Sequence, residues 1–142
     1  MENDSGHVSE TEIKELVYSF CEALSGRNFE KIESFLADQS SLSWGPYNFI
    51  GKESILNWAE ELNDLFPFMA FKEKALEIHG STAKHEFMIA FLTSRGRKGW
   101  LPCEGVYDFV NNQIVSLKVK LLHGFLTVSR DDVERVKPHA TK

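Results

Sequence analysis

The side chains of this sequence best placed to do chemistry are His123, Tyr107, Cys103 and the pair His79 and His85. His123 follows the alternating apolar run Leu117, Val119, Leu121. An imidazole, with an unperturbed pKa of about 6.5, can give or take a proton near neutrality; the plainer account of His123 is a rim-exposed residue with no chemical role. Tyr107 offers a hydroxyl that can hydrogen-bond a ligand carbonyl while its ring packs against apolar neighbours. Cys103 would act as a nucleophile only if a base or cation lowered its pKa, and its neighbours Pro102 and Glu104 supply neither, so it reads as a buried inert thiol. His79 and His85 flank Gly80 and stand near Glu77 and Glu86, but no H-x-E-x-H or H-E-x-x-H spacing joins them. No metal and no cofactor is therefore expected.

These residues must be held by the elements around them. Ser9-Glu10-Thr11-Glu12 has the S-x-x-E form of a helix capping box, and Ile13, Leu16, Val17, Phe20 and Leu24 then recur at helical spacing until Gly26. Asn28 can cap a second, shorter helix with Phe29, Ile32, Phe35 and Leu36 as its apolar positions, closed by the polar stretch Asp38 to Ser41. Ser41 to Trp44 reads as a short strand before the turn at Gly45-Pro46. Gly51 to Phe66 reads as a third helix, with Ile55, Trp58, Ala59, Leu62, Leu65 and Phe66 inward and Pro67 ending it. From Phe71 the pattern turns to strands over 71–79, 82–94, 98–110 and 113–126, separated by Gly80, Gly96 and Asn111-Asn112. A capping-box pattern at Ser129 to Asp132 suggests a brief C-terminal helix before Pro138. The expected divisions are a flexible start over 1–8, one domain over 9–128, and a short helix and tail over 129–142.

Register can be argued further. Lys118 and Lys120 alternate with Leu117, Val119 and Leu121, and Asp108 alternates with Tyr107 and Phe109, so odd positions face inward on both strands. Paired residues on one face must then have numbers that sum to an even value, which a two-residue turn at Asn111-Asn112 violates; a three-residue loop or a bulge beside the turn is predicted. On the inward face lie Leu101, Cys103, Gly105, Tyr107, Phe109, Leu117, Val119, Leu121 and His123, with Trp44 and Trp58 at the mouth. Apolar walls with a few polar handles have the character of a small-molecule site, and the competing account is a closed core. Phe87, Ile89 and Phe91 alternate with Met88, Ala90 and Leu92, so this strand is apolar on both faces, and a homodimer through the outer face, near Trp100, would bury the surplus.

Composition bounds these readings. A chain of 142 residues with 42% hydrophobic and 26% charged residues fits one domain with a sizeable core. Its formal charge of −5 opposes binding to a phosphate backbone, and the one basic cluster, Arg95, Arg97 and Lys98, surrounds a glycine as a hairpin tip would. Cys21 and Cys103 form neither a disulfide framework nor a C-x-x-C pair. No apolar run reaches the roughly 18 residues of a membrane span, and the acidic, polar start is unlike a secretory signal, so the expected compartment is the cytoplasm.

The order of parts, over roughly residues 10–127, resembles the nuclear-transport-factor-2-like superfamily and, within it, the SnoaL-like and ketosteroid-isomerase-like branch. The residues that carry the likeness are Phe20-x-x-Ala23-Leu24-x-Gly26 with Phe29 and Ile32; Phe35-Leu36-Ala37-Asp38; Phe49 through Ile55; and Gly105-Val106-Tyr107-Asp108-Phe109 with Gln113-Ile114-Val115. The resemblance implies an α+β, cone-like half barrel, in which an N-terminal helical hairpin and a third helix pack on the concave face of a curved, mainly antiparallel sheet. Ketosteroid isomerases place a Tyr, a base Asp and a protonated acid where this chain has Ser19, Trp44 and Gly105. The Arg and two Asp of limonene epoxide hydrolases fall near Glu86, Met88 and Val119.

The expectation is therefore a SnoaL-like homodimer that binds a small apolar or aromatic molecule through Trp44, Trp58, Leu101, Cys103, Tyr107, Val119, Leu121 and His123, without the usual catalytic carboxylates. A rival is an isomerase, dehydratase or polyketide cyclase using Tyr107 and His123, and another is a protein-interaction adaptor using the sheet face. The fold alone selects none of them.

Overall fold

A computed structural model describes residues 9–93 and 95–122. The elements run α1 (Glu10–Ser25), α2 (Phe29–Ser34), β1 (Leu36–Trp44), β2 (Tyr47–Ile50), α3 (Lys52–Leu65), β3 (Phe68–His79), β4 (Thr82–Leu92), β5 (Lys98–Val110) and β6 (Gln113–Leu121). His123 and the expected C-terminal helix and tail lie outside the described residues, as does the expected flexible start.

Helix α1 starts where the capping box requires. The Ser9 hydroxyl accepts the Glu12 N–H at 3.2 Å and the Glu12 carboxylate accepts the Ser9 N–H at 3.1 Å, which satisfies two otherwise orphaned donors. Ile13, Val17, Phe20, Cys21 and Leu24 line its buried face. In α3 the buried stripe is Ile55, Trp58, Ala59, Leu62 and Leu65, and Pro67 follows directly after its cap.

The six strands form one open sheet in the order β2-β1-β6-β5-β4-β3. All neighbours are antiparallel except β1 and β6, which run parallel. The fold is thus α+β, with three helices on a mostly antiparallel sheet that is interrupted by register shifts in β1/β6, β3/β4 and β5/β6. Bulges of this kind bend a strand and increase its twist, which curves the sheet.

Two boundaries differ from the sequence reading. Helix α2 ends at Ser34, and Leu36, expected inside it, instead opens β1 beside Ile114, whose N–H donates to the Phe35 carbonyl at 2.7 Å. For Leu36, a strand partner 78 positions later outweighs the local helical pattern, a contest local propensity cannot anticipate. The segment between Pro46 and Gly51 forms β2, pairing with β1 from Trp44↔Tyr47 to Ser41↔Ile50, so the sheet has two strands beyond the four-strand meander.

The register expectation holds in its bulge form. Asn111 and Asn112 make a two-residue turn with φ of 53° and 65°, both left-handed, as the twist of a tight hairpin demands. Parity is repaired between Asp108↔Ser116 and Phe109↔Ile114, where Val115 is the extra residue. Odd positions of β5, and those of β6 below the bulge, point inward: Leu101, Cys103, Tyr107, Phe109, Leu117 and Val119 are all buried.

Candidate functional site

The inner face of the sheet and the helices enclose a cavity of about 10 Å³, to which every strand except β2 and both long helices contribute. Space of that size holds at most one water. Four expected residues meet on its wall: Trp44 from β1, Trp58 from α3, Tyr107 from β5 and Val119 from β6. Leu101 and Cys103 are buried on the same face of β5 without reaching the wall, and Leu121 is half-buried beside the Gly45 turn. The wall carries no Lys, Arg, Asp or Glu.

Trp44 and Trp58 lie with ring centroids 5.7 Å apart and are each 2% exposed. Neither indole N–H has a hydrogen-bond partner, and neither does Nδ1 of His85. A buried polar group left unpaired costs about 1–3 kcal/mol, so the interior is less finished than its packing suggests.

His85, weighed from the sequence only as a metal ligand beside Glu77 and Glu86, has a different partner in the structure. It stands on β4 in phase with Phe87, Ile89 and Phe91, points inward with them and is fully buried. Its Nε2 is bonded to the Glu73 carboxylate of β3, which is 41% exposed. The β3 bulge makes this pairing. Glu73 is opposite Phe87 and Ala75 is opposite Glu86, so Lys74 is the extra residue and Glu73 is brought beside His85. A signal was present, since the inward apolar positions of β3 change phase from Met69 and Phe71 to Leu76 and Ile78.

Aromatic rings surround the imidazole. Phe87 stacks on it at 4.7 Å, Tyr18 of α1 meets it edge-on at 6.0 Å and Tyr107 lies at 6.3 Å. Opposite His85 on β5 is Gly105, which puts no side chain in the way. Phe87 and Tyr107 belong to the cavity wall, whereas Tyr18 and Glu73 line an open groove of about 500 Å³ between α1 and β3. The Glu73–His85 pair therefore stands between the groove and the interior.

The Tyr107 hydroxyl touches the Cys21 sulfur at 3.8 Å, and burial pushes its pKa well above the ordinary phenol value, so near neutrality it donates a hydrogen bond rather than acting as a base. Burial also pushes the Cys21 thiol up to about 12, against a smaller lowering from its contact with Tyr107. Cys103 is raised as well, first by burial, in keeping with an inert thiol. Tyr18 is raised by burial and then by the nearby Glu73 charge. Among the described residues no three His, Cys, Asp or Glu side chains gather to hold a metal, and no helix is long and apolar enough to cross a membrane.

No protein-family model matches the chain, and no curated protein does. Solved structures do. A proposed SnoaL-like polyketide cyclase from Jannaschia sp. superposes with a TM-score of 0.73 at 10% identity, covering 85% of this chain and 90% of that one. An LEH-like epoxide hydrolase from M. tuberculosis gives 0.69 at 15% identity, covering 89% of each chain. A nuclear-transport-factor-2-like protein of unknown function from Burkholderia pseudomallei gives 0.70 at 15% identity, covering 78% of this chain and 91% of that one. The chain thus has the nuclear-transport-factor-2-like fold, and at these identities the likeness speaks for fold alone.

Proposed function

We propose that this nuclear-transport-factor-2-like chain binds a small, uncharged apolar or aromatic molecule inside its cone. The observation that carries the reading is the three buried nitrogens without partners, Trp44 Nε1, Trp58 Nε1 and His85 Nδ1, on or just behind the wall of one otherwise apolar cavity. A core meant only to be closed would be more stable with phenylalanine at such positions, because each unpaired polar group costs about 1–3 kcal/mol. A ligand oxygen that accepts from an indole removes part of that cost on binding. The uncharged character follows from a wall without any ionic partner, where a buried charge would be strongly penalised.

The α1–β3 groove, of about 500 Å³, is the route of entry in this reading, which requires the interior to widen on binding. The positions that hold catalytic groups in ketosteroid isomerases carry Ser19, Trp44 and Gly105 here, which favours binding over that route of catalysis. The same proposal includes a cytoplasmic homodimer formed through the outer sheet face, where Trp100, 49% exposed, pairs with Ala90.

Native mass spectrometry of the purified protein, with denaturing analysis of what it carries, tests the reading. A stoichiometric small molecule that is lost in Trp44→Phe and Trp58→Phe supports it. Failure of a panel of small aromatics to change tryptophan emission, together with a bare protein, overturns it.

A further inference from the structure

The Glu73–His85 pair has a geometry that the packing of a core does not require. We propose that His85, oriented by Glu73, accepts the hydroxyl proton of an uncharged aromatic alcohol, such as a phenol or naphthol, in a hydrogen bond inside the cone. This rests on the reading that the cone takes a small aromatic molecule, and specifies which kind.

The donor and acceptor roles follow from the pair itself. With Glu73 accepting from Nε2–H, a singly protonated ring has its lone pair on Nδ1. Nδ1 is buried and has no partner. The complement of that lone pair is a donor. A ligand cation would find no carboxylate on the cavity wall, and an anion would be desolvated there without a counter-charge and close to Glu73. A neutral hydroxyl meets both conditions.

The aromatic character follows from the surroundings. Phe87, Tyr18 and Tyr107 present their rings to His85 within 6.3 Å, and Gly105 lies opposite it across the strand pair. Because Phe87 and Tyr107 also belong to the cavity wall, a ring admitted by widening of that cavity would lie against the aromatic layer that holds Nδ1. Glu73 is a positioning residue in this scheme: it fixes the tautomer, and its own exposure to the groove keeps its charge hydrated.

The test is calorimetric titration of the full chain with 2-naphthol, its methyl ether and 2-fluoronaphthalene, of which only the first can donate. The expected result is at least roughly tenfold tighter binding of 2-naphthol than of the other two, the size of one well-made buried hydrogen bond. In His85→Phe the preference falls to near unity while the methyl ether binds as before. Glu73→Gln, changed at a partly exposed position where folding is preserved, reduces the preference without reaching unity. Equal binding of all three by the native chain, or a preference that survives in His85→Phe, overturns the assignment of His85 and leaves the aromatic pocket standing. Binding of none overturns the pocket and this inference together.

Discussion

Replacing each member of the Glu73–His85 pair in turn gives unequal losses, because only one of the two is buried. His85 is fully enclosed and Glu73 is 41% exposed. In Glu73→Ala, Nε2 loses its partner while Nδ1 already lacks one, so the ring is left with both nitrogens buried and unpaired. That costs about 1–3 kcal/mol. In His85→Phe the carboxylate is rehydrated from the groove, both ring nitrogens disappear and the slightly larger ring faces Gly105. The net change is expected within about 1 kcal/mol of the native chain. Urea unfolding followed by far-ultraviolet circular dichroism reads the difference as a change in midpoint at constant slope. For a chain of this size Glu73→Ala lowers Tm by about 3–9 °C. The double variant should match His85→Phe alone, since the loss in Glu73→Ala exists only while His85 is present. A His85→Phe variant less stable than Glu73→Ala would show that the pair is a structural strut, and the reasoning from unequal burial would fail.

Other outcomes follow from single features. Cys21, with its thiol raised to about 12 by burial, should resist iodoacetamide in the folded chain at pH 8, where only about one thiol in ten thousand is ionised; rapid labelling would contradict it. Because the folded pKa is above the unfolded value, the linked stability is fully present below about pH 9 and is lost as pH rises toward 12, which alkaline unfolding would reveal. Gly51, at φ 91° and ψ 157°, occupies a region nearly reserved for glycine, so Gly51→Ala should destabilise by about 1–3 kcal/mol in thermal melts. Gly105→Ala meets only ordinary contacts at 3.5 Å and should leave stability unchanged or improve it by about 0.5–1 kcal/mol, while narrowing the approach to His85 and weakening 2-naphthol binding in the same titration. Sedimentation should give a dimer at micromolar concentration, and Trp100→Glu should shift it to monomer.

Much of the fold was legible where local signals and tertiary demands agree. The capping box at Ser9, the apolar stripes of α1 and α3 and the alternation of β4, β5 and β6 each specify an element by itself. The parity argument required either a three-residue loop or a bulge, and the β5/β6 bulge meets it, because two alternating strands joined by a two-residue turn can share a face in no other way. What was lost depends on distant partners. Leu36 looks helical beside Phe29 and Ile32 and becomes a strand residue because Ile114 lies alongside. Tyr47–Ile50 alternates over four residues only, too few to distinguish a strand from a loop without β1 beside it.

The candidate site divides along the same line. Trp44, Trp58, Tyr107 and Val119 reach the cavity because strand alternation and helical phase aim them there. His85 obeys the same alternation, yet it was weighed only with its neighbours in sequence, Glu77 and Glu86, as a metal ligand. Glu77 instead pairs with Lys84, and Glu86 points to the outer face. The true partner, Glu73, is twelve residues away across a hairpin and reaches the ring only because Lys74 is an extra residue. Strict alternation from Leu76 and Ile78 back along β3 would put Lys72 and Lys74 inward and Glu73 outward. The bulge reverses this, so one inserted residue decides whether a carboxylate or an ammonium faces the histidine. Deleting Lys74 should join Glu73 directly to Ala75 in a continuous register, with Glu73 still opposite Phe87 and Leu76 still opposite His85, so the Glu73–His85 bond and the preference for 2-naphthol over its methyl ether are kept; loss of that preference would show that the bend of the strand, not its phase, positions the carboxylate.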